Sequence, residues 1–563
     1  LRATTRRAFL RTAAQGGAGL VVAFRWPASA RGADAAAAFQ PNAYVRIAPD
    51  DSVTLWITRA EMGQGARTTL AMVLAEELEA DGSGIRLEQA EPDARFEGVR
   101  LRTSGSGSAA GTFNPLRQAG AAAREMLVAA AAQRWGVEAA SCQARSGAVV
   151  HAPSGRRLSY GALAADAARL PVPASPRLKD ASELRLIGRP QRRVDGPDIV
   201  AGKAVYGLDV RRPGMLFAVI ARSPRLGGRP ARVDGTRALA LAGVRHVMRV
   251  RSGLAQGVAV IADDTWAALR GRDALSIDWE AGPGGDFDSE RFIERLHAAL
   301  GEKAYVVRRD GDAAAAFASA ARRLDATYVY PYQAHAPLET MNCTADVRDG
   351  RCEIWAPTQT PDRCQAHAAR VSGLPAAQVT VHVTLMGGGF GRRLFADYAA
   401  EAVEISKEVA RPVQVVWTRE DDMRHGFFQP ASVDRLGAAL GGDGRLLAWS
   451  HTAATSDHSM PAYHSGTPPE AAAPDAYAMA GSPWGAYDNP YRVPAMAADY
   501  VPVESPVPVG PWRAVQYPPT VFARESFVDE VALALGKDPL GFRLELLEPG
   551  DVLLLGQQKL DRG

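Results

Sequence analysis

The seven residues Gly387-Gly388-Gly389-Phe390-Gly391-Arg392-Arg393 set a glycine run against two arginines. Glycine lets backbone N–H groups approach an anion with no Cβ between, and a following helix N-terminus adds partial positive charge. Such a loop suits a phosphate or an oxyanion, and it equally suits a plain tight turn. It is not a P-loop, because Gly-Lys-Ser/Thr is missing, and it does not fit Gly-x-Gly-x-x-Gly. Gln64, within Glu61-Met62-Gly63-Gln64-Gly65, both donates and accepts, so it can read an amide-like ring edge or cap a helix. Ser104-Gly105-Ser106-Gly107-Ser108 places small hydroxyl residues ahead of a helix, as a phosphate site or as a flexible loop. Arg513, in Gly510-Pro511-Trp512-Arg513-Ala514-Val515, offers a planar, permanently charged fork for oxyanions or for a core acid. Trp512 supplies a flat apolar face. His335 and Glu339 form a further polar cluster and read as structural ties.

These residues must be positioned by regular elements. The β-branched run 379–385 predicts a strand into the glycine loop, and 396–403 predicts a helix out of it. Alternation on both sides of Pro49-Asp50-Asp51 predicts a hairpin over 44–58, whose second strand delivers Gln64 to a helix over 68–78. Asn114-Pro115 reads as the N-cap and first position of a helix to about Trp135, which carries Gln118. Strands 343–347 and 352–355 flank Asp349-Gly350, a hairpin signal that sets Thr358-Gln359 between strand and helix. Residues 171–185 read as a proline-rich linker, and 186–280 as a strand-rich unit. The closing helices are predicted over 525–535, stopped by Gly536, and 538–547.

At 563 residues the chain exceeds one ordinary core and implies about three or four domains. Its 65 basic and 62 acidic residues give a net charge of +3, which makes no case for a nucleic-acid partner. Cys142, Cys343, Cys352 and Cys364 form no C-x-x-C pair, so neither an iron–sulfur cluster nor structural zinc is signalled. They read as buried free thiols, with a disulfide among the later three as the alternative. Residues 1–30 read as a twin-arginine signal peptide: Arg6-Arg7, an apolar stretch too short to span a bilayer, and Ala28-Ser29-Ala30 at a cleavage-like site. That predicts periplasmic location without a permanent membrane span; a chance arginine pair in a tail is the alternative.

Taken together and in order, the Glu61–Gly65 stretch, 186–190 through Asp209, Thr358-Gln359, the glycine loop, Gly510-Pro511-Trp512-Arg513, and Asp529-Glu530 through Asp538-Pro539-Leu540 resemble the molybdopterin-binding large subunit of the xanthine dehydrogenase and aldehyde oxidase family. The likeness is to its isoquinoline 1-oxidoreductase β-subunit branch and runs from about Ala43 onward. It implies an α+β, multi-domain molybdenum-hydroxylase fold. An N-terminal molybdopterin-binding segment (41–170) would be permuted ahead of an α/β hammerhead domain (186–280) and a main cofactor domain (287–563).

The resemblance assigns Gly63, Gln64, Gly65, Ser106, Ser108, Gln118, Thr358, Gln359, Gly388, Gly389, Phe390, Gly391, Arg392 and Arg513 to the cofactor. Gln359 would donate to a ligand of molybdenum, and Arg513 would lie beside the cofactor. Leu394, Trp512 and Val515 would line the substrate pocket. Leu394 stands where purine-oxidising members have a glutamate, which disfavours purines and favours an apolar aldehyde or N-heterocycle. The implied reaction is hydroxylation with water-derived oxygen, with the metal held by the pterin dithiolene, in a cytosine dinucleotide form, rather than by protein ligands. Electrons would leave through a separate small [2Fe–2S] subunit, with a cytochrome c acceptor beyond. The family's general-base glutamate, in a Gly-Val-Gly-Glu motif, is not found in this sequence. The expectation is therefore an enzyme subunit incomplete at its C-terminus and inactive alone; the alternative is a non-catalytic molybdopterin-binding or assembly protein.

Overall fold

The structure, a computed structural model, describes residues 20–24, 42–80, 85–456, 485–547, 552–555 and 558–561. The signal-peptide reading of residues 1–30 falls mostly outside them; Leu20–Phe24 pairs antiparallel with Asn42–Ile47. The chain divides into two units. One comprises Leu1–Leu216, Asn342–Gly389 and Arg393–Val416, the other Phe217–Met341, Phe390–Arg392 and Trp417–Gly563. One of the crossings from the first unit to the second and back falls inside the glycine loop.

In the first unit the alternating residues around Pro49 form the hairpin Asn42–Ile47 and Val53–Ile57, with Val45 opposite Leu55. Ile85–Gln89 adds in parallel, a crossover made possible by the helix Ala66–Leu78. A second helix, Phe113–Trp135, packs on that one through Leu70, Leu74, Leu116, Ala123 and Leu127. Gly120 sets the approach: a Cβ there would lie 2.6 Å from the Leu74 carbonyl oxygen. This helix begins earlier than Asn114-Pro115 suggested. Leu116 N–H donates to the Thr112 carbonyl, making Thr112 the N-cap, and Pro115 sits in a first turn where no N–H is needed.

Two adjacent carboxylates of the first helix are fully buried and satisfied. Glu77 accepts from Arg117 Nε at 2.8 Å, Arg124 Nη1 at 3.0 Å and the Lys179 N–H at 3.2 Å. Glu76 accepts from Lys179 Nζ and from the N–H groups of Arg185, Leu186 and Ile187. The segment that reads as a linker is therefore fastened to this helix pair. The rest of the unit builds on the hairpin Asn342–Arg348 and Arg351–Ala356, turned by Asp349 and Gly350 at φ 53° and 73°. Val379–Val383 joins in parallel with Arg351–Ala356, and Val413–Val416 pairs with Asn342–Arg348. Helices Pro361–Ser372 and Asp397–Val409 complete it.

The second unit contains the strand-rich region expected over 186–280, though only from Phe217 onward. Leu216–Arg222, Gly257–Ala262 and Val244–Val250 run antiparallel, and Arg229–Asp234 pairs with Ser276–Glu280. A five-stranded sheet follows, in the order Tyr305–Asp310, Ala495–Val503, Leu446–Ser456, Ser432–Leu440, Arg322–Tyr330. Phe527, Val528 and Val531 of the helix Tyr517–Ala534 pack with Leu436, Ala438 and Trp449 of that sheet. Phe292 and Leu296 of Ser289–Ala299 pack with Val433, Ala454 and Val501. The 517–534 helix starts eight residues before the expected 525, because Pro518-Pro519 occupies a first turn whose N–H groups have no intrahelical acceptor. Among the described residues, no helix is long and apolar enough to cross a membrane.

Candidate functional site

In the first unit the Thr358-Gln359 corner, the Glu61–Gly65 turn and the glycine loop converge. Gln359 is buried; its N–H donates to the Arg393 carbonyl at 2.9 Å, and Nε2 donates to the Thr103 carbonyl at 2.9 Å. Thr103 N–H returns a bond to the Gln359 carbonyl, and its hydroxyl accepts from Ala60 N–H at 2.8 Å. Thr103 carried no signal in the sequence, although it lies one residue before the Ser-Gly run. Thr358 Oγ1 donates to the Arg393 carbonyl, and Thr360 Oγ1 to that of Leu394. A Cβ on Gly389 would lie 2.7 Å from both Gln359 Oε1 and Met62 Sδ, so only glycine passes there.

Arg393, fully buried, donates from Nε to the Gly388 carbonyl at 2.8 Å and from Nη1 to that of Pro357 at 3.2 Å. It shapes the loop. Gln64 folds back on its own turn, accepting from Met62 N–H at 2.8 Å and donating to the Ala60 carbonyl at 3.0 Å. Glu61 accepts from the N–H groups of Gly63, Gly65 and Arg67. Ser106, left-handed at φ 51°, and Gln118 are exposed, Ser108 is half-buried, and Leu394 is buried.

In the second unit, Gly391 at φ 108° passes so close to Pro511 that a Cβ would sit 1.7 Å from its carbonyl oxygen. His335 holds the same carbonyl: Nε2 lies 3.0 Å from Pro511 O and Nδ1 3.0 Å from Phe427 O. Burial, helped by Arg392, pushes the ring down to about 4 against the pull of the two carbonyls, so it is neutral at pH 7. A neutral imidazole donates from one nitrogen only, and the tie is therefore a single hydrogen bond at a time. Arg392 lies 5.2 Å above the Trp417 ring and 5.4 Å from that of Phe427.

The segment carrying Trp512 and Arg513 has another character. Ala514 and Val515 take φ 65° and 56°, a left-handed pair that is costly for a β-branched residue. Phe390, also left-handed, is 37% exposed. Arg513 is exposed and makes no hydrogen bond or ion pair among the described residues. Trp512 Nε1 is a buried donor with no acceptor there. All four cysteines are buried free thiols; burial pushes Cys352 and Cys364 up to about 12 and raises Cys343 well above its ordinary value, so these three stay protonated.

Molybdopterin cofactor-binding domain models match residues 296–547 and 2–193, in swapped order relative to the usual arrangement. The fold is that of molybdenum hydroxylase large subunits: quinoline 2-oxidoreductase from Pseudomonas putida 86 superposes with a TM-score of 0.53 at 22% identity, over 65% of this chain and 51% of that one. Isoquinoline 1-oxidoreductase subunit beta of Brevundimonas diminuta is 32% identical over 565 residues, covering 90% of this chain and 70% of that protein. A membrane-bound pyrroloquinoline-quinone aldehyde dehydrogenase of Gluconacetobacter polyoxogenes is 33% identical over 577 residues, covering 96% and 72%. The chain belongs to the xanthine dehydrogenase family of molybdopterin-binding oxidoreductases, in its isoquinoline 1-oxidoreductase β-subunit branch. Its residues fit such a cofactor. The unmatched indole N–H of Trp512 and the open guanidinium of Arg513 are donors suited to a polyanionic, oxygen-rich group.

Proposed function

We propose that this chain is the substrate-facing part of a molybdenum hydroxylase that oxidises an aldehyde or N-heteroaromatic carbon with oxygen from water. When bound, the cofactor supplies a two-electron acceptor and polarises the incoming oxygen. Arg513 and Trp512 hold cofactor oxygens by charge-assisted and neutral hydrogen bonds. Gln359, with its amide fixed by Thr103, orients the metal side of the site, and Gly388 to Gly391 let the backbone come close. Trp512 and Val515 border the substrate. Leu394 gives a purine no hydrogen-bond partner, which leaves apolar aldehydes and N-heterocycles as the substrate class.

The four thiols are buried and free and form no C-x-x-C pair, so electron exit is assigned to a separate [2Fe–2S] subunit and then a cytochrome c. Arg6-Arg7 with its apolar stretch supports export to the periplasm as a heterodimer by the twin-arginine route. The name of the aldehyde-oxidising relative specifies a quinone, whereas the two domain matches here favour a pterin; we assign that pterin its cytosine dinucleotide form.

The observation that carries this reading is the orphaned Trp512 Nε1 beside an unpaired Arg513. Arg513→Gln and Trp512→Phe, each produced with the adjacent reading frames in a molybdenum-replete host, are expected to retain about tenfold less molybdenum and pterin at unchanged circular dichroism. Wild-type retention in both variants would refute it.

A further inference from the structure

A cavity of about 970 Å³ lies wholly within the second unit. Leu226, Leu254, Phe428 and Pro508 give it apolar lining. Basic residues line it as well. Arg222 comes from the strand Leu216–Arg222, Arg272 from the helix Thr265–Asp273, and Arg424 with His425 from the end of the helix Arg419–Arg424. Glu420 and Asp421 also border it, and Asp421 is already engaged: its carboxylate pairs with Arg272 at 2.9 Å and accepts the Thr418 N–H at 3.0 Å. Arg222 is stacked on the Trp417 ring at 3.8 Å.

Arg424 and the His425 ring make no hydrogen bond or ion pair among the described residues. A half-buried imidazole and an unpaired guanidinium, in a cavity that also has apolar lining, are arranged for a ligand with one anionic end. We propose that this cavity binds a small organic carboxylate, with the acid group at Arg424 and His425 and the apolar body against Leu226, Leu254 and Pro508.

Binding is then linked to protons. In the free protein, burial first and then Arg222, Arg424 and Arg272 hold His425 down to about 4, opposed by Asp421. The ring is therefore neutral at pH 7. A carboxylate beside it favours the imidazolium, so the complex takes up a proton, and affinity falls as pH rises through the bound-state pKa. The site stands apart from the cofactor reading, since neither residue has a part in holding the pterin.

The test is calorimetric titration of the full chain with benzoate and with neutral benzamide, in two buffers of different ionisation heat, from about pH 5.5 to about pH 8. Benzoate is expected to bind at least about tenfold more tightly than benzamide, with proton uptake and with affinity declining as pH rises. Arg424→Gln should weaken benzoate about tenfold. His425→Gln should keep binding but abolish proton uptake. Equal affinity for benzamide, no saturable benzoate heat, or unaltered binding and proton uptake in both variants would overturn the proposal. Molybdenum content, measured on the same preparations, reports separately on the cofactor reading.

Discussion

Around Gln359 the first unit pairs its polar groups with neighbouring peptide: Gln359 with Thr103 and Arg393, Arg393 with Gly388 and Pro357, Glu61 with three N–H groups of its own turn. Residues 512–515 of the second unit do the reverse, with an indole N–H lacking an acceptor, a guanidinium in the open, and two left-handed residues that are not glycine. The first arrangement is a self-sufficient scaffold, and the second is strained and under-satisfied in a way that a bound group would relieve. Stability should therefore be sensitive to the first and ligand retention to the second.

The largest effect should come from the scaffold. Glu77→Ala leaves two guanidinium groups without their buried counter-charge and is expected to cost about 3–5 kcal/mol in urea unfolding. A loss under about 1 kcal/mol would remove the contrast. Gly391→Ala joins both themes, since its Cβ must displace the Pro511 carbonyl at a φ of 108°; about 2–3 kcal/mol of stability and most of the bound molybdenum should go together. Val515→Gly separates them. Relief of the left-handed valine should raise stability by about 0.5–1 kcal/mol while cofactor retention drops, and a variant that is both less stable and fully loaded would contradict the idea of stored strain.

The smallest effect is electrostatic. His382 Nδ1–H donates to the Glu91 carboxylate at 3.1 Å, and that contact raises the ring above its usual 6.5. The folded pKa is raised, so the contribution is fully present below about pH 6.5 and is lost as pH climbs through the higher folded value. Both groups are about one-third exposed, and screening limits the contribution to a few tenths of a kcal/mol at most, roughly. The stability gap between wild type and Glu91→Gln should close as pH rises above about 6.5, through the raised folded value. A gap that widens with pH would reverse the sign.

The sequence carried the local elements well wherever periodicity and turn chemistry agree. Asp349-Gly350 marked its hairpin, the β-branched run 379–383 its strand, and Gly536 the end of its helix. Helix starts were less legible, because Thr112 caps through its main chain and Pro518-Pro519 occupy a first turn ahead of the expected start at 525. Within the candidate site, Gln359 and the glycines were named through the family resemblance, and the structure brings Gln359 against Gly389. Thr103 was not, since it contributes through its main chain and a common hydroxyl. Equally hidden was that Gln64 folds onto its own turn, because an amide that reads a ligand and one that closes a turn are spelled alike. Positive φ at Val515 has no sequence signature at all.

The fastening of residues 177–187 to Glu76 and Glu77 bears on how the chain can be cut. Arg177 and Arg185 expose their side chains, at 65% and 69%, and so advertise trypsin sites. Their main-chain N–H groups are held by Glu125 and Glu76, and a protease must draw an extended stretch of backbone into its cleft. Cleavage there requires Glu125 and the buried Glu76 to let go first. The N-terminal segment therefore cannot be clipped off as a detachable module, and digestion at those arginines would serve as a clock for local opening of the helix pair rather than as a map of a domain boundary.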